Sequence, residues 1–478
     1  MKNLILKNTI ILLITNLIIR ALGLLNRVIL TRFLGEQGIS LYTLILPTIM
    51  LFLSLSCFSL NTSIIKISSN NNSKKVISDG IIIAIISSSI ASIVLLFMLK
   101  ILCSNLLKQE SAYFPILCSI PLFYLTSISS VLRGYLTGKE KMTSTSIANL
   151  LEQLSRMLFT ILVFILIRKK SIITYIIYCI LAMSIGELIS IIFTSFIIIK
   201  NKLYCNDLGF DNKTKIKKEI FEISFPTTLN SLASNFTFFL EPIIYTFILT
   251  KLSISSNEIL LKYSEVTAYA LPLISLFIFI PLSLSTAIMP KMTTASSSNI
   301  KNSIPKIITI CLIPACLIST ILYNYCDEIL LVLYNTTKGN HLIKKYVWFF
   351  ITLYFISPLN TILISRNQAK KVFIISIIFH IIKLLIILIF PFFTNDSLIL
   401  SYLISNGLLF IIEYYILRKQ FKFKIKINDI IRIILITIII NCISLILQHF
   451  NINYIIQIII ITLIYLTSLF NIFRTNNK

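Results

Sequence analysis

The chain has 478 residues, of which 56% are hydrophobic and only 13% are charged. No soluble core needs that much apolar surface, so the composition excludes a soluble globular protein and indicates a polytopic membrane protein. The net charge of +25 is compatible with nucleic-acid binding, but in a membrane chain it points to cytoplasmic loops that face anionic lipid, and we expect no nucleic-acid partner.

Hydrophobic stretches long enough to cross a bilayer, which takes about 20 apolar residues in a helix, recur along the whole chain. We find fourteen, at approximately residues 9–32, 41–66, 79–101, 113–136, 146–167, 172–199, 220–249, 263–289, 304–326, 346–365, 372–391, 397–417, 430–447 and 453–472. The sequence therefore predicts an all-α integral membrane protein with about 14 transmembrane helices.

Basic residues fall mainly in alternate loops. The loops on the side of the N-terminus include Arg133 and the two longest polar connections, residues 200–219 and 418–429. Because basic loops remain in the cytoplasm, we predict a multi-pass protein of the bacterial cytoplasmic membrane with both termini in the cytoplasm.

The same two connections divide the spans into six, six and two. We predict an N-terminal six-helix lobe at residues 1–200, a cytoplasmic linker at 201–219, a C-terminal six-helix lobe at 220–418 and an extra helix pair at 430–472. Two six-span halves are typical of internally repeated transporters.

The first span carries ionisable groups. Asn16, Arg20, Gly23 and Arg27 fall on one stripe of a helix that is otherwise apolar. An arginine in hydrocarbon costs roughly 2.5–3.5 kcal/mol, so two on one face require either a water-filled cavity or paired carboxylates. We favour the cavity, because ionisable groups inside membrane segments usually mark pathways; the alternative is an ion pair that locks the helices.

Acidic residues in other spans supply candidate partners. Glu152 and Arg156 are four apart on span 5, which predicts a structural ion pair along one helix face. Glu241, followed by Pro242 in span 7, is either a counter-ion for Arg20 or Arg27 or a proton or cation site.

Sequence signatures of catalysis or metal binding are missing. None of the nine cysteines forms a Cys-x-x-Cys pair, and the chain has no G-x-S-x-G, H-E-x-x-H or P-loop motif. We therefore expect neither an enzyme nor a metal site, and no cofactor.

The arginine stripe belongs to a longer pattern. Arg20-x-x-Gly23-x-x-x-Arg27-x-x-x-x-Arg32-x-x-Gly35-x-x-Gly38-x-x-x-Tyr42 resembles the opening of polysaccharide exporters of the stage V sporulation protein B type. Further segments that resemble this family, in the same order, are Arg133-Gly-Tyr-Leu-Thr-Gly138 with Glu152-Gln153-x-x-Arg156, Ser224-Phe-Pro-Thr-Thr-Leu-Asn230 with Glu241, and Ala270-Leu-Pro272-Leu with Leu284-Ser-Thr286-Ala-x-x-Pro290. The resemblance covers about residues 15–300.

This resemblance implies the multidrug/oligosaccharidyl-lipid/polysaccharide (MOP) exporter superfamily. Its members have two six-helix lobes in a V around a central cavity, and the MurJ-related lipid II flippases add two C-terminal helices, which fits spans 13 and 14. In MurJ-like proteins cavity arginines engage the diphosphate of the substrate; Arg20 matches the first, and Arg27 matches the second with a displacement of one residue. Span 8 lacks the arginine that MurJ proteins carry there, which favours the sporulation-type branch.

We therefore interpret the protein as a flippase for an undecaprenyl-diphosphate-linked saccharide. The expected substrate is the peptidoglycan precursor lipid II, and sporulation is a candidate setting for its transport. The expected substrate-binding residues are Arg20, Arg27 and Asn16. Lipid-linked oligosaccharide and membrane lipid are the expected partners, and a cell-wall glycosyltransferase is a candidate partner.

Three alternatives stay open at this stage. The first is an exporter of another lipid-linked polysaccharide unit. The second is a cation-coupled multidrug exporter, which predicts a carboxylate-rich cavity. The third is a membrane glycosyltransferase or polymerase, which predicts clustered acids in a large outer loop, whereas Asp327 and Glu328 are the only adjacent acids.

Overall fold

Every regular element in the described part of the chain is a helix, as the sequence predicts. The computed structural model describes residues 2–70, 74–167, 171–201, 213–294, 296–366, 368–392, 396–424, 427–449 and 453–475. The chain divides into two compact units, Met1–Ser264 and Glu265–Lys478.

The helices of unit 1 are joined by short connections. They are α1 (Lys2–Cys57), α2 (Leu60–Asn70), α3 (Lys74–Lys100), α4 (Tyr113–Leu117), α5 (Ile120–Gly138), α6 (Met142–Leu166), α7 (Ile172–Lys200), α8 (Lys213–Lys251) and α9 (Ser256–Ser264). A π-helical turn, Ile101–Leu106, and a 3₁₀ turn, Glu110–Ala112, connect α3 to α4.

Unit 2 is built in the same way. Its helices are α10 (Leu271–Ile274), α11 (Phe279–Thr294), α12 (Ser297–Tyr334), α13 (Asn340–Tyr346), α14 (Leu353–Ser365), α15 (Ala369–Ile389), α16 (Ser397–Phe421), α17 (Ile427–His449) and α18 (Tyr454–Thr475). The short π and 3₁₀ turns of this unit are Glu265–Ala270, Leu276–Ile278, Val347–Thr352 and Phe390–Phe392.

Each of the fourteen predicted spans has a counterpart among the described helices. Within the described ranges, eleven helices are long and apolar enough to cross a membrane, and a bent helix pair brings the number to twelve. Predicted spans 1 and 2 lie in one helical stretch, Ile18–Ser68, and predicted span 14 is the shorter apolar helix Tyr454–Ser468. A straight helix of 51 residues would be about 76 Å long, more than twice the roughly 30 Å of a bilayer core, and the backbone of this stretch is non-helical at Gly35. The stretch therefore provides two spans, as predicted.

The helix α8 packs on α1, α2 and α3 within unit 1. The two extra C-terminal helices, α17 and α18, pack on each other and on α12. The predicted lobe boundaries, with a linker at 201–219, stay a prediction, and most of that linker lies outside the described residues.

Small residues allow the helices of unit 1 to approach closely. A methyl group at Gly80 of α3 would lie 2.9 Å from the Val131 side chain of α5, and one at Gly134 of α5 would lie 2.9 Å from the Asn61 carbonyl oxygen of α2. Ser88 donates a 2.9 Å hydrogen bond to Ser127 between α3 and α5. Close packing of small residues and interhelical hydrogen bonds are what hold helices together in lipid.

Gly35 lies in the resemblance motif, where the chain passes from predicted span 1 to predicted span 2. Its backbone has φ +64° and ψ −172°, which breaks the helix and places a kink between the two halves of α1. This region of φ and ψ is open almost only to glycine, because a Cβ atom collides with the backbone there. The glycine therefore sets the direction in which the second half of α1 leaves the first.

We predict that Gly35→Ala lowers stability by about 1–3 kcal/mol through backbone strain alone, since no atom would lie within 4 Å of the added methyl. Gly407→Ala in α16 is the matched control, because that site is equally open and its φ is helical. The control variant should be neutral or up to about 1 kcal/mol more stable. Melting temperatures of the purified variants in one detergent measure both effects, and equal values for the two variants would contradict the strain argument.

Candidate functional site

The arginines of α1 differ in their surroundings. Arg20 is exposed, and in the described part of the chain its guanidinium makes no hydrogen bond or ion pair. Arg27 is half-buried, and the backbone oxygen of this residue accepts a 2.9 Å hydrogen bond from Thr31 Oγ1. The two residues are seven positions apart, about 10 Å along the helix axis. Asn16 lies on α1, but its side chain is outside the described set.

Between the two arginines, α1 lies against α6. A methyl group at Gly23 would be 3.6 Å from the Nε2 atom of Gln153, which is itself buried. The glycine of the stripe therefore faces the neighbouring helix. The predicted roles of Asn16, Arg20 and Arg27 in substrate binding stay predictions.

Glu241 is fully buried in unit 1. Its carboxylate accepts a 3.3 Å hydrogen bond from the Tyr263 hydroxyl of α9, and the ring of Tyr263 lies 5.9 Å from that of Tyr245 on α8. The acid therefore joins α8 to α9. Its predicted role as a counter-ion for the α1 arginines, or as a coupling site, stays a prediction.

A network of two arginines and two glutamates lies inside unit 1. The Nη1 atom of Arg133 is 2.8 Å from Glu152 Oε2, its Nη2 atom pairs with Glu187 Oε2, and Arg156 Nη2 is 2.6 Å from Glu152 Oε1. Arg133 also donates to Ser129 and Asn149, each at 2.8 Å. The network is neutral as a whole and joins α5, α6 and α7.

Glycine makes this network possible. A methyl group at Gly186, next to Glu187 on α7, would lie 2.8 Å from the Glu152 backbone oxygen on α6. The two helices can meet this closely only without a side chain at that position. Because a buried charge costs several kcal/mol unless it is paired, the close approach and the pairing depend on each other.

Arg133 was counted among the basic residues of the cytoplasmic loops, although predicted span 4, at residues 113–136, also contains it. It is a mostly buried residue of α5, with 17% of its side chain exposed, so the assignment to a loop is wrong and the assignment to the span is right. The predicted partners Glu152 and Arg156 do lie in contact, but they form only half of the network. The available signal was the spacing of Ser129 and Arg133, which puts a hydroxyl and a guanidinium on one helix face.

Unit 2 holds a buried cation on predicted span 11. Lys383 of α15 has only 8% of its surface exposed, and its Nζ atom lies 3.4 Å from the centre of the Tyr402 ring on α16. Together with His380 and Asn406 it lines a cavity of about 340 Å³. The ring face offsets part of the cost of burying the charge.

A buried acid lies on the same helix as Tyr402. Glu413 of α16 is 1% exposed and lies beside Asn360 of α14. Neither carboxylate oxygen makes a hydrogen bond of ordinary geometry with the described residues. Among the described residues of unit 2, the buried basic side chain is thus Lys383 on α15 and the buried acidic one is Glu413 on α16.

Solved structures with a similar arrangement of apolar helices are membrane transporters. The fold is that of polytopic transporters. The structure of the lipid II flippase MurJ, in an inward closed conformation, is similar over 98% of this chain and 100% of that chain, with a TM-score of 0.73 at 17% identity. An inward-facing multidrug resistance MATE family transporter of the MOP superfamily is similar over 86% of this chain and 98% of that chain, with a TM-score of 0.67 at 13% identity.

The sequence comparison gives the family. The chain belongs to the family described as "Polysaccharide biosynthesis protein", whose sequence model matches residues 5–254. Stage V sporulation protein B of Bacillus subtilis (strain 168) is 26% identical over 393 residues, which is 79% of this chain and 76% of that protein. The resemblance inferred from the α1 motif is thereby confirmed, and so is the expectation of a MurJ- and MATE-like membrane fold. These relatives agree with a transporter rather than an enzyme.

We predict that Arg133→Met destabilises unit 1 by about 3–5 kcal/mol, because it leaves Glu187 buried without its partner. The pair Arg133→Met and Glu187→Gln should be less than additive, since the second change removes the unpaired charge. Arg432→Met on the exposed face of α17 is the matched control and should change little. Thermal unfolding in detergent is the measurement; a double variant as unstable as the sum of the single ones would show that the groups are not coupled.

Proposed function

We propose that the protein is a flippase that moves an undecaprenyl-diphosphate-linked saccharide, with lipid II as its preferred substrate, across the cytoplasmic membrane. The observation that carries the proposal is Arg20, an exposed arginine in a membrane helix of a polysaccharide biosynthesis family protein. Similarity to stage V sporulation protein B supports a role in sporulation.

The chemistry of such a substrate explains why arginine is required. The head group is bulky, hydrated and anionic, so it needs a basic, water-filled path, whereas the lipid tail can stay in the bilayer. A guanidinium donates two parallel hydrogen bonds to phosphate oxygens, which an ammonium group cannot do. With a rise of 1.5 Å per residue, Arg20 and Arg27 can hold diphosphate at two depths along α1. Asn16, one turn before Arg20, would add an amide contact.

Two of the acids inside unit 1 argue against a cation-coupled multidrug exporter. Such a mechanism needs carboxylates that are available to a proton or cation, whereas Glu152 and Glu187 are held by Arg133. Glu241 of unit 1 and Glu413 of unit 2 are the buried acids that such a mechanism would have to use. The similarity to multidrug transporters is a similarity of fold at 13% identity.

Glu241 has a second role in the proposal. As the one fully buried acid of α8, it either balances the arginines of α1 when no substrate is bound or couples transport to a cation. In both cases the hydroxyl of Tyr263 competes for the same carboxylate oxygen. Replacement by glutamine keeps that hydrogen bond and removes only the charge, so Glu241→Gln separates charge from packing.

The orientation of the chain is also part of the proposal. The basic loops predict both termini in the cytoplasm, so residues 200–219 are inside and the loop before α9 is outside. In a background without native cysteines, Asn257→Cys should react with a membrane-impermeant maleimide in intact cells. Lys218→Cys, 79% exposed in the structure, should react only after the cells are opened. The reverse labelling pattern would show that the chain has the opposite orientation, and the proposed direction of transport would then be wrong.

Transport itself tests the arginine. In vesicles that contain the purified protein and labelled lipid II, we expect Arg20→Lys to slow flipping and Arg20→Ala to abolish it. Loss of a charge-assisted hydrogen bond costs about 1.5–3 kcal/mol, or one to two decades in affinity. Arg432→Ala is the matched control, since it also removes an exposed arginine.

Protein inserted per vesicle is measured for each variant, so that poor reconstitution is not mistaken for poor transport. If Arg20→Ala and Arg27→Ala both flip lipid II at the wild-type rate, the arginines are structural and the diphosphate mechanism is wrong. If the wild-type protein moves another diphosphate-linked saccharide but not lipid II, the exporter of a different polysaccharide unit is the correct reading.

A further inference from the structure

A second polar site lies in unit 2, away from the residues discussed above. It is a pocket of about 700 Å³ between the C-terminal part of α12, the helix α13 and the facing ends of α17 and α18. Its lining consists of four amide side chains, two tyrosines, two acids and one lysine: Asn324, Gln448, Asn453, Gln457, Tyr325, Tyr454, Asp327, Glu328 and Lys344. The volume falls within the roughly 300–1,000 Å³ typical of ligand pockets.

Internal hydrogen bonds fix the frame of this pocket. The Tyr325 hydroxyl donates to Gln457 Oε1 at 2.8 Å, and Gln448 Nε2 donates to the Asn324 backbone oxygen at 2.9 Å. Asn324 Nδ2 donates to Asn441 Oδ1 at 2.8 Å. These bonds join α12 to α17 and to α18, so the lining is held in place before any ligand arrives.

The same bonds leave polar atoms unused. Glu328 makes no hydrogen bond or ion pair with the described residues, and the side-chain oxygens of Asn324 and Gln448 accept none from them. Three acceptors therefore face the pocket, and one of them is charged. An ionised acceptor forms hydrogen bonds about twice as strong as a neutral one.

The charge of the pocket excludes a diphosphate and disfavours a metal. Both oxygens of Asp327 are already engaged, one by Asn340 at 2.7 Å and the other by Lys344. Glu328 then gives the pocket a net negative charge, which repels an anion, and it is the only carboxylate left for a cation. A neutral ligand rich in hydroxyl and amide groups fits amides that both donate and accept, with tyrosine rings for its apolar faces.

We propose that this pocket binds the acetamido saccharide portion of the transported substrate, with Glu328 accepting from sugar hydroxyls. The choice of an acetamido sugar rests on the proposed function. The loops that form the pocket, after predicted span 9 and between predicted spans 13 and 14, are on the outer side in the predicted orientation. The saccharide pocket would then act on the release side.

The probe is N,N′-diacetylchitobiose, a soluble acetamido disaccharide, with the full-length protein in nanodiscs. Saturation-transfer difference NMR should show binding to the wild type and at least about tenfold weaker binding to Glu328→Gln and Gln448→Leu. Glu222→Gln, which neutralises an acid with a 62% exposed side chain in unit 1, is the matched control and should bind as the wild type does. Gel filtration confirms that each variant is folded.

Two results would overturn the proposal. One is that the disaccharide gives no saturation-transfer signal with the wild type, and the other is that its signal is the same with the wild type and with both pocket variants. Competition distinguishes the source of the sugar: added lipid II lowers the disaccharide signal if the pocket takes the lipid-linked form, and leaves it unchanged if only free saccharide enters.

Flipping of lipid II is measured on the same preparations. If lipid II is flipped but the disaccharide does not bind, the proposal of a saccharide pocket is wrong and the proposed function stands. Saccharide binding that depends on Glu328, without any flipping, would overturn the proposed function and leave the pocket intact.

Discussion

A guanidinium group inside a membrane protein must either be paired with carboxylates or face water, because hydrocarbon solvates it poorly. Unit 1 shows the first solution, and the proposed function assigns the second to Arg20. Arg133 is enclosed by Glu152 and Glu187, which ties three helices together. Arg20 is exposed on α1 and makes no ion pair with the described side chains. In the proposed function Arg133 therefore has a structural role, and Arg20 is the arginine that binds the ligand.

The paired arginine supports the exposed one. The network around Arg133 fixes α5, α6 and α7, and α6 in turn carries Gln153, against which Gly23 of α1 packs. A rigid support of this kind keeps the face of α1 that bears Arg20 in one orientation. A binding group held by a packed surrounding loses little conformational entropy when its ligand arrives, so precise placement raises affinity without further contacts.

Hydropathy and charge predicted the all-α membrane fold and most of the spans, because a bilayer demands long apolar helices whatever the details of packing. Periodicity also placed Glu152 and Arg156 on one face. It could not show that Arg133 and Glu187 complete their network, since those contacts join helices that are distant in sequence. The same limit applies to Lys383 with Tyr402 and to the amide pocket of unit 2, where α12 meets α17 and α18. The non-helical backbone at Gly35, between the first two spans, could not be predicted because hydropathy does not register backbone dihedral angles.

Direct binding tests the central claim, that Arg20 recognises a diphosphate lipid. Native mass spectrometry of the purified protein can compare undecaprenyl diphosphate with undecaprenyl monophosphate, two lipids with the same tail. The account predicts that the wild type retains the diphosphate about tenfold more than the monophosphate and that Arg20→Ala loses this preference. Equal retention of the two lipids by the wild type, or an unchanged preference in Arg20→Ala, would contradict it.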